Sequence, residues 1–296
     1  MMGATRNMFT TSYTLPVSQR VVSYSDFTNA ILFDVIRCLT NNNIKQIEKC
    51  FDDVVTLMTT EDVNNMCSVD KFCLLLDIRS MYLGDQLELL TSDEKKVKIK
   101  LSTMMENLTK QMTRCVTSSI IEVGDISIDV GIPRSMIVDD YDKLIEQSII
   151  KVHHDDIITA FNQFTPSERA SFVDSLPAET LHSIVQHIKH VQQVTGEMYL
   201  IPHNKTIGLE GVKLGLYDNS MIEILRSLFA EDLMNFYEMQ FSLITKMRVT
   251  YEHFMKMTPS ESKIFVNLYN KDIKKQEEAM NKQQNNHPGG RGIGGI

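Results

Sequence analysis

The stretch "DKFCLLLDIRSMYLG", Asp70 to Gly84, constrains the fold more than any other part of the sequence. Phe72, Leu75, Leu76, Arg79 and Leu83 recur at the three-to-four-residue spacing that places side chains on one face of a helix, and Gly84 supplies a natural C-terminal stop. A helix this apolar has to be covered, and a charge buried on it has to be compensated, because an ion out of water is costly. Asp77 and Arg79 are therefore its most informative residues. Arg79 cannot shed its charge, so it is expected to meet a carboxylate, either Asp77 or an acidic group on a partner protein.

Around that helix the periodicity switches between two regimes. Tyr13, Leu15 and Val17 alternate around Pro16 like a short edge strand, and Val21 to Tyr24 read as a second. Phe27, Ile31, Val35 and Cys38, then Ile44, Ile47, Phe51, Val54, Val55 and Met58, keep helical time on either side of "NNN", which predicts a helical hairpin. "VKIKL" reads as a strand leading into a helix that carries Met104, Leu108, Met112 and Cys115. "SIIEVGDISIDVGIP" alternates through Ile126, Ile128, Val130 and Ile132 and pivots on the two-residue turn Gly124-Asp125.

Helix returns after Pro133 through Tyr141, Leu144 and Ile145, and "HHDD" at His153 to Asp156 reads as a solvated helix start. "MYLIPHNKTIGLEGVKLGLYDN" predicts a hairpin or flap. From Asn219 a long amphipathic helix carries Ile222, Leu225, Phe229, Phe236, Met239, Leu243 and Met247. The fold class is mainly α with small β hairpins (α+β). Its expected parts are a multi-helix N-terminal region over 1–133, a middle helical region with a β flap over 134–218, long C-terminal amphipathic helices over 219–280, and a glycine-rich tail over 281–296 that cannot build a core.

The letters "TPSE" occur twice, at Thr165 and at Thr258. In each, threonine suits an N-cap, proline the first helical turn, and Glu168 or Glu261 the third position that closes a capping box. The flanking sequences do not repeat, so the echo is helix-start grammar and not a duplication.

Several function classes lack an address. The net charge is −8 and the 30 Lys and Arg residues are scattered, so no basic stripe offers itself to nucleic acid. The opening "MMGATRNMFTTSYT" has no apolar core, and no window approaches about 18 uninterrupted apolar residues. Neither an export signal nor a membrane span is expected. Cys38, Cys50, Cys67, Cys73 and Cys115 show no CxxC spacing and read as reduced thiols of a chain folded in a cytoplasm.

Gly290, Gly292 and Gly295 match GxGxxG literally but lack the strand and helix that would aim amides at a pyrophosphate. His182, His187 and His190 lie near one helical face without an HExxH, and there is no GxSxG or P-loop. No cofactor and no catalysis are expected. A metal-dependent hydrolase using His153, His154 and the later histidines is the enzymatic alternative. The 18 methionines and absence of tryptophan lean towards adaptable interaction surfaces.

Three stretches, "LPVSQRVVSYSDFTNAIL", "DKFCLLLDIRSMYLGDQLEL" and "LFAEDLMNFYEMQFSLITKMRV" running into "TPSESKIFVNLYNKDIKKQEE", together resemble the baseplate hub subunit family of T-even-type contractile-tailed bacteriophages. Asp77, Ile78, Arg79 and Gly84 approximate that family's middle helix, and Thr258, Pro259 and Glu261 its closing one. The resemblance implies a non-enzymatic structural or assembly part of the tail baseplate hub, beside the spike proteins and the tape-measure protein. It implies a place in the virion, with assembly in the host cytoplasm. The alternative of the same class is a tail-assembly chaperone that leaves before the virion is finished. Hub parts share the tail's symmetry, so a cyclic homo-oligomer, a trimer, is expected.

The C-terminal helices carry the expected contact surface. Phe229, Phe236, Met239 and Leu243, together with Tyr237 and Phe241, give more apolar width than one packing face needs, and the excess is expected to meet another subunit. Arg79 is the expected polar contact.

Overall fold

The computed structural model describes residues 11–41, 43–90, 96–112, 118–137, 141–155, 157–203, 211–217, 220–229 and 233–285. The chain divides into two units, Met1–Phe27 with Ile31–Glu231, and Thr28–Ala30 with Asp232–Ile296. It is mainly α, with small antiparallel sheets.

In the first unit Thr11–Thr14 (β1) pairs with Val21–Tyr24 (β2). Pro16 sits in the turn between them, where a missing N–H does no harm. That turn is anchored from outside: the amides of Val17 and Ser18 donate to the Asp70 carboxylate at 2.8 and 3.1 Å. Asn29–Thr40 (α1) is followed by Ile44–Met58 (α2), whose side-chain cap is Asn43 and whose buried face is Ile47, Phe51, Val54, Val55 and Met58. This is the helical pair that the spacing predicts.

Ser68–Leu83 (α3) is the centre of the unit. Val69, Phe72, Cys73, Leu74, Leu75, Leu76 and Ile78 are all fully buried, so as far as Ile78 the helix is covered on more than one face, while Met81 in its last turn is exposed. Lys71 on the same helix is buried too, and its ammonium meets Asp52 at 2.7 Å. Gly84 ends the helix at a φ of +107°, and open space surrounds the point where a Cβ would stand. The demand for glycine there is conformational, not steric.

Asp85 follows, and its side chain satisfies the first turn of the next helix. Its carboxylate accepts the amide and hydroxyl of Ser102, both at 2.9 Å, and the hydroxyl of Ser80 at 3.0 Å. Gln86–Leu90 (β3) and Lys96–Lys100 (β4) form the hairpin between the two helices, and Leu101–Met112 (α4) buries Leu101, Met104, Leu108 and Met112. Only the second of those strands is legible in the sequence. Cys115 lies outside the described residues.

A four-stranded sheet follows, Ser118–Val123 (β5), Ile126–Gly131 (β6), Ile149–His154 (β7) and Ile157–Ala160 (β8), in the order β5-β6-β7-β8. Gly124 makes the β5–β6 turn at a φ of +58°. Tyr141–Ser148 (α5) joins β6 to β7. His153 and His154 are the end of a strand, paired with Ser127 and Ile126, and do not start a helix. The register of β6 against β7 shifts between Asp129 and Val130, and such an irregularity hides a strand's alternation from periodicity. Asp156 lies outside the described residues.

Pro166–Ser175 (α6) opens with the full capping box of Thr165 and Glu168. Ala178–Glu197 (α7) packs on β5 and β6 and buries Ile184, Ile188 and Val191. Tyr199–Ile201 (β9) and Val212–Lys213 (β10) form the expected small hairpin, while Asn204 and Lys205 of its "HNK" lie outside the described residues. Ser220–Phe229 (α8) buries Met221, Ile222, Leu225, Leu228 and Phe229.

The second unit holds Leu233–Met247 (α9), Tyr251–Lys256 (α10) and Pro259–Asn285 (α11). Of the helix expected from Asn219 onward, α8 and α9 are described, and residues 230–232 between them lie outside the described residues. Thr258 closes the second capping box, its amide donating to Glu261 Oε2 at 2.8 Å and its hydroxyl accepting the Glu261 amide at 3.2 Å. The first residues of α1 belong to this unit. Asn29 Nδ2 donates to the Phe254 carbonyl and to Ser262 Oγ, each at 2.8 Å. The glycine-rich tail from residue 286 lies outside the described residues.

Candidate interaction surface

Two apolar stripes run along α9. Phe236 and Leu243, 1% and 0% exposed, face the interior, and Phe236 meets Phe254 of α10 edge-to-face with ring centroids 5.4 Å apart. Met234, Tyr237 and Phe241 are 61%, 46% and 64% exposed. At 3.6 residues per turn these three lie within about 60° of one another, on a part of the helix that Phe236 and Leu243 do not share. Their three-then-four spacing is the one that lets a second helix lie alongside. On α11, Ile264, Phe265 and Leu268 are also exposed, as is Tyr251 at the start of α10.

This sorts the residues expected at a contact. Phe229 belongs to the first unit's core, its ring 5.4 Å from that of Phe51 and 6.4 Å from that of Phe27. Phe229, Phe236 and Leu243 therefore present no surface to a partner, because the apolar width that marks them is used inside the chain. Met239 is half-buried. Tyr237 and Phe241 stand at the surface, and Met234, which the sequence reading did not single out, joins them. The signal was its position three residues before Tyr237.

Arg79 and Asp77 are engaged in different directions. Arg79 Nε donates to the carbonyl of Leu228 at 2.6 Å and Nη1 to that of Gly84, so the guanidinium ties the exit of α3 to the last turn of α8. Asp77 instead accepts the Tyr24 hydroxyl at 2.6 Å. Burial raises the pKa of the Asp77 carboxyl, partly offset by that hydrogen bond, and burial together with Asp77 pushes the Tyr24 phenol well above its usual range.

The histidines are dispersed. His153 Nε2 lies 3.1 Å from Asp129 Oδ2 across the β6–β7 pair, and His187 Nδ1 lies 3.0 Å from Ser119 Oγ where α7 covers β5. Burial, then the neighbouring His190, pulls His187 below the usual imidazole value. Among the described residues no group of three or more His, Cys, Asp or Glu side chains is placed to hold a metal ion. Cys38, Cys50, Cys67 and Cys73 are free thiols.

Residues 8–204 match the family of T4 bacteriophage base plate proteins. The chain belongs to this family. No curated protein and no solved structure matches it. As a T4-type baseplate protein the chain shares with its family the part running from β1 through β9, which includes α3, Arg79 and the four-stranded sheet. The exposed stripe of α9 lies beyond the matched residues. No helix among the described residues is long and apolar enough to cross a membrane.

Proposed function

We propose that this baseplate protein is a structural subunit of the central hub, set among spike and tape-measure proteins and acting by shape and surface burial. The family match over residues 8–204 carries the reading. The "DIR" of α3 with Gly84, and the "TPSE" start of α11, support the hub within the baseplate. Met234, Tyr237 and Phe241 supply a contact surface, because clustered exposed apolar side chains mark interaction sites. Their partner in this reading is a second copy of the chain, in a closed ring of three about the tail axis. Assembly takes place in the host cytoplasm, and the finished protein resides in the virion.

The test is mass spectrometry and cryo-electron microscopy of purified particles. The hub reading expects the chain in stoichiometric amount at the tail axis. Its absence from finished particles that still require it for assembly would establish the chaperone instead, and a position at the baseplate periphery would exclude the hub.

A further inference from the structure

Arg134 has more donors than the described residues give it acceptors. It follows Pro133 at the exit of β6 and is half-buried. Among the described residues its one hydrogen bond is long, from Nη2 to the carbonyl of Glu146 at 3.3 Å. Each nearby carboxylate among the described residues also has a closer partner of its own. Glu146 is held by Arg169 Nε at 2.8 Å, Asp70 by the amides of Val17 and Ser18, and Asp62 by the amide and side chain of Asn64. Burial, and then Arg169, pull Arg134 below the ordinary guanidinium value, partly offset by the charges of Glu146 and Asp62.

This guanidinium lines a cavity of about 350 Å³ that lies wholly within the first unit. Lys151 supplies a second cation, Asn65 and Asn162 polar walls, and Ile132 and Ile149 an apolar side. Among the described lining residues the one carboxylate is that of Asp70, against the two cations Arg134 and Lys151. All of its lining residues fall within the family-matched stretch.

We propose that this cavity receives a carboxylate side chain on an acidic segment of a neighbouring baseplate protein. Arg134 offers the parallel N–H groups that fit both carboxylate oxygens, Lys151 adds charge at the exposed rim, and Ile132 and Ile149 take an aliphatic neighbour of the acid. The volume suits one or two side chains and not a folded surface. That the acid belongs to a baseplate protein rests on the function proposed above; the recognition of a carboxylate does not.

The experiment uses the full chain and two acetylated, amidated tripeptides, Ile-Glu-Ile and Ile-Gln-Ile, with the Arg134 side-chain Nε–H resonance as readout. The glutamate peptide is expected to shift that resonance saturably, and to bind at least about tenfold more tightly than the glutamine peptide. The preference should weaken with added salt and vanish in Arg134→Gln. Lys151→Gln, at an exposed position that leaves the fold alone, should lose part of it. Equal binding of the two peptides, or a preference undiminished in both variants, overturns the proposal. So does inorganic phosphate binding as tightly as the glutamate peptide, which would make the cavity a general anion site. In particles, Lys151→Gln should lower incorporation of the chain several-fold, and unchanged incorporation overturns the role in assembly. Absence of the wild-type chain from particles would defeat the baseplate-hub reading while leaving the peptide result standing.

Discussion

Asn29 shows how much one side chain can hold. It is fully buried, and its amide supplies the donors for the Phe254 carbonyl and the Ser262 hydroxyl. Asn29→Ala strips both of that donor in a place water does not reach, which should lower stability by about 1–3 kcal/mol. Chemical denaturation measures it, and an unchanged midpoint would mean that the site relaxes or admits water. His187 makes a different kind of prediction. Charging it means placing a cation in a half-buried site beside His190, so the folded chain takes up the proton less readily than the unfolded one, whose value is near 6.5. Its contribution is full above that value and is lost as the pH falls below it towards the lower folded value. Melting temperatures between pH 7.5 and 5.5 should therefore fall more steeply for the wild type than for His187→Gln; parallel curves would remove His187 as the cause.

At the scale of the element, the two capping boxes form a controlled pair. Thr258 is buried and Thr165 exposed, so Thr258→Ala should fall towards the upper end of the roughly 0.5–2 kcal/mol range for lost caps, and Thr165→Ala towards the lower end. Equal losses would show that burial does not modulate the cap. Both helix starts were legible because a capping box is a local code. So were α1, α2, α4 and the β5–β6 hairpin, where a period of 3.6 or 2 runs uninterrupted. The β7–β8 pair was not, because the irregular register beside Ile149 breaks the alternation, and "QLELL" of β3 has no clean period of its own. Periodicity finds two apolar stripes on α9 but cannot say which one is buried. That is decided by Phe254, arriving from α10. Arg134 was silent for the same reason: what surrounds it comes from segments spread between Val17 and Asn162.

For the whole molecule, the distinction between the two stripes of α9 becomes a test of assembly. Tyr237→Glu with Phe241→Glu places charge on the exposed stripe, and should leave circular dichroism and melting unchanged while blocking incorporation into baseplates. Phe236→Glu places it in the interior and should unfold the second unit, so loss of incorporation there says nothing about contacts. Normal infectious particles carrying the double substitution would show that this stripe is not the assembly surface. The clasp at Asn29 also has a consequence in time. Asn29 and Phe254 are 225 residues apart, and at a synthesis rate of roughly 5–20 residues per second the asparagine emerges roughly ten to forty-five seconds before its acceptor exists. For that interval its amide has only water to bind, and the second unit cannot close until the ribosome has passed Ser262. A nascent chain interrupted earlier would carry an open seat where α10 and α11 belong. The hydrogen bonds of Asn29 thus close only in chains read past Ser262.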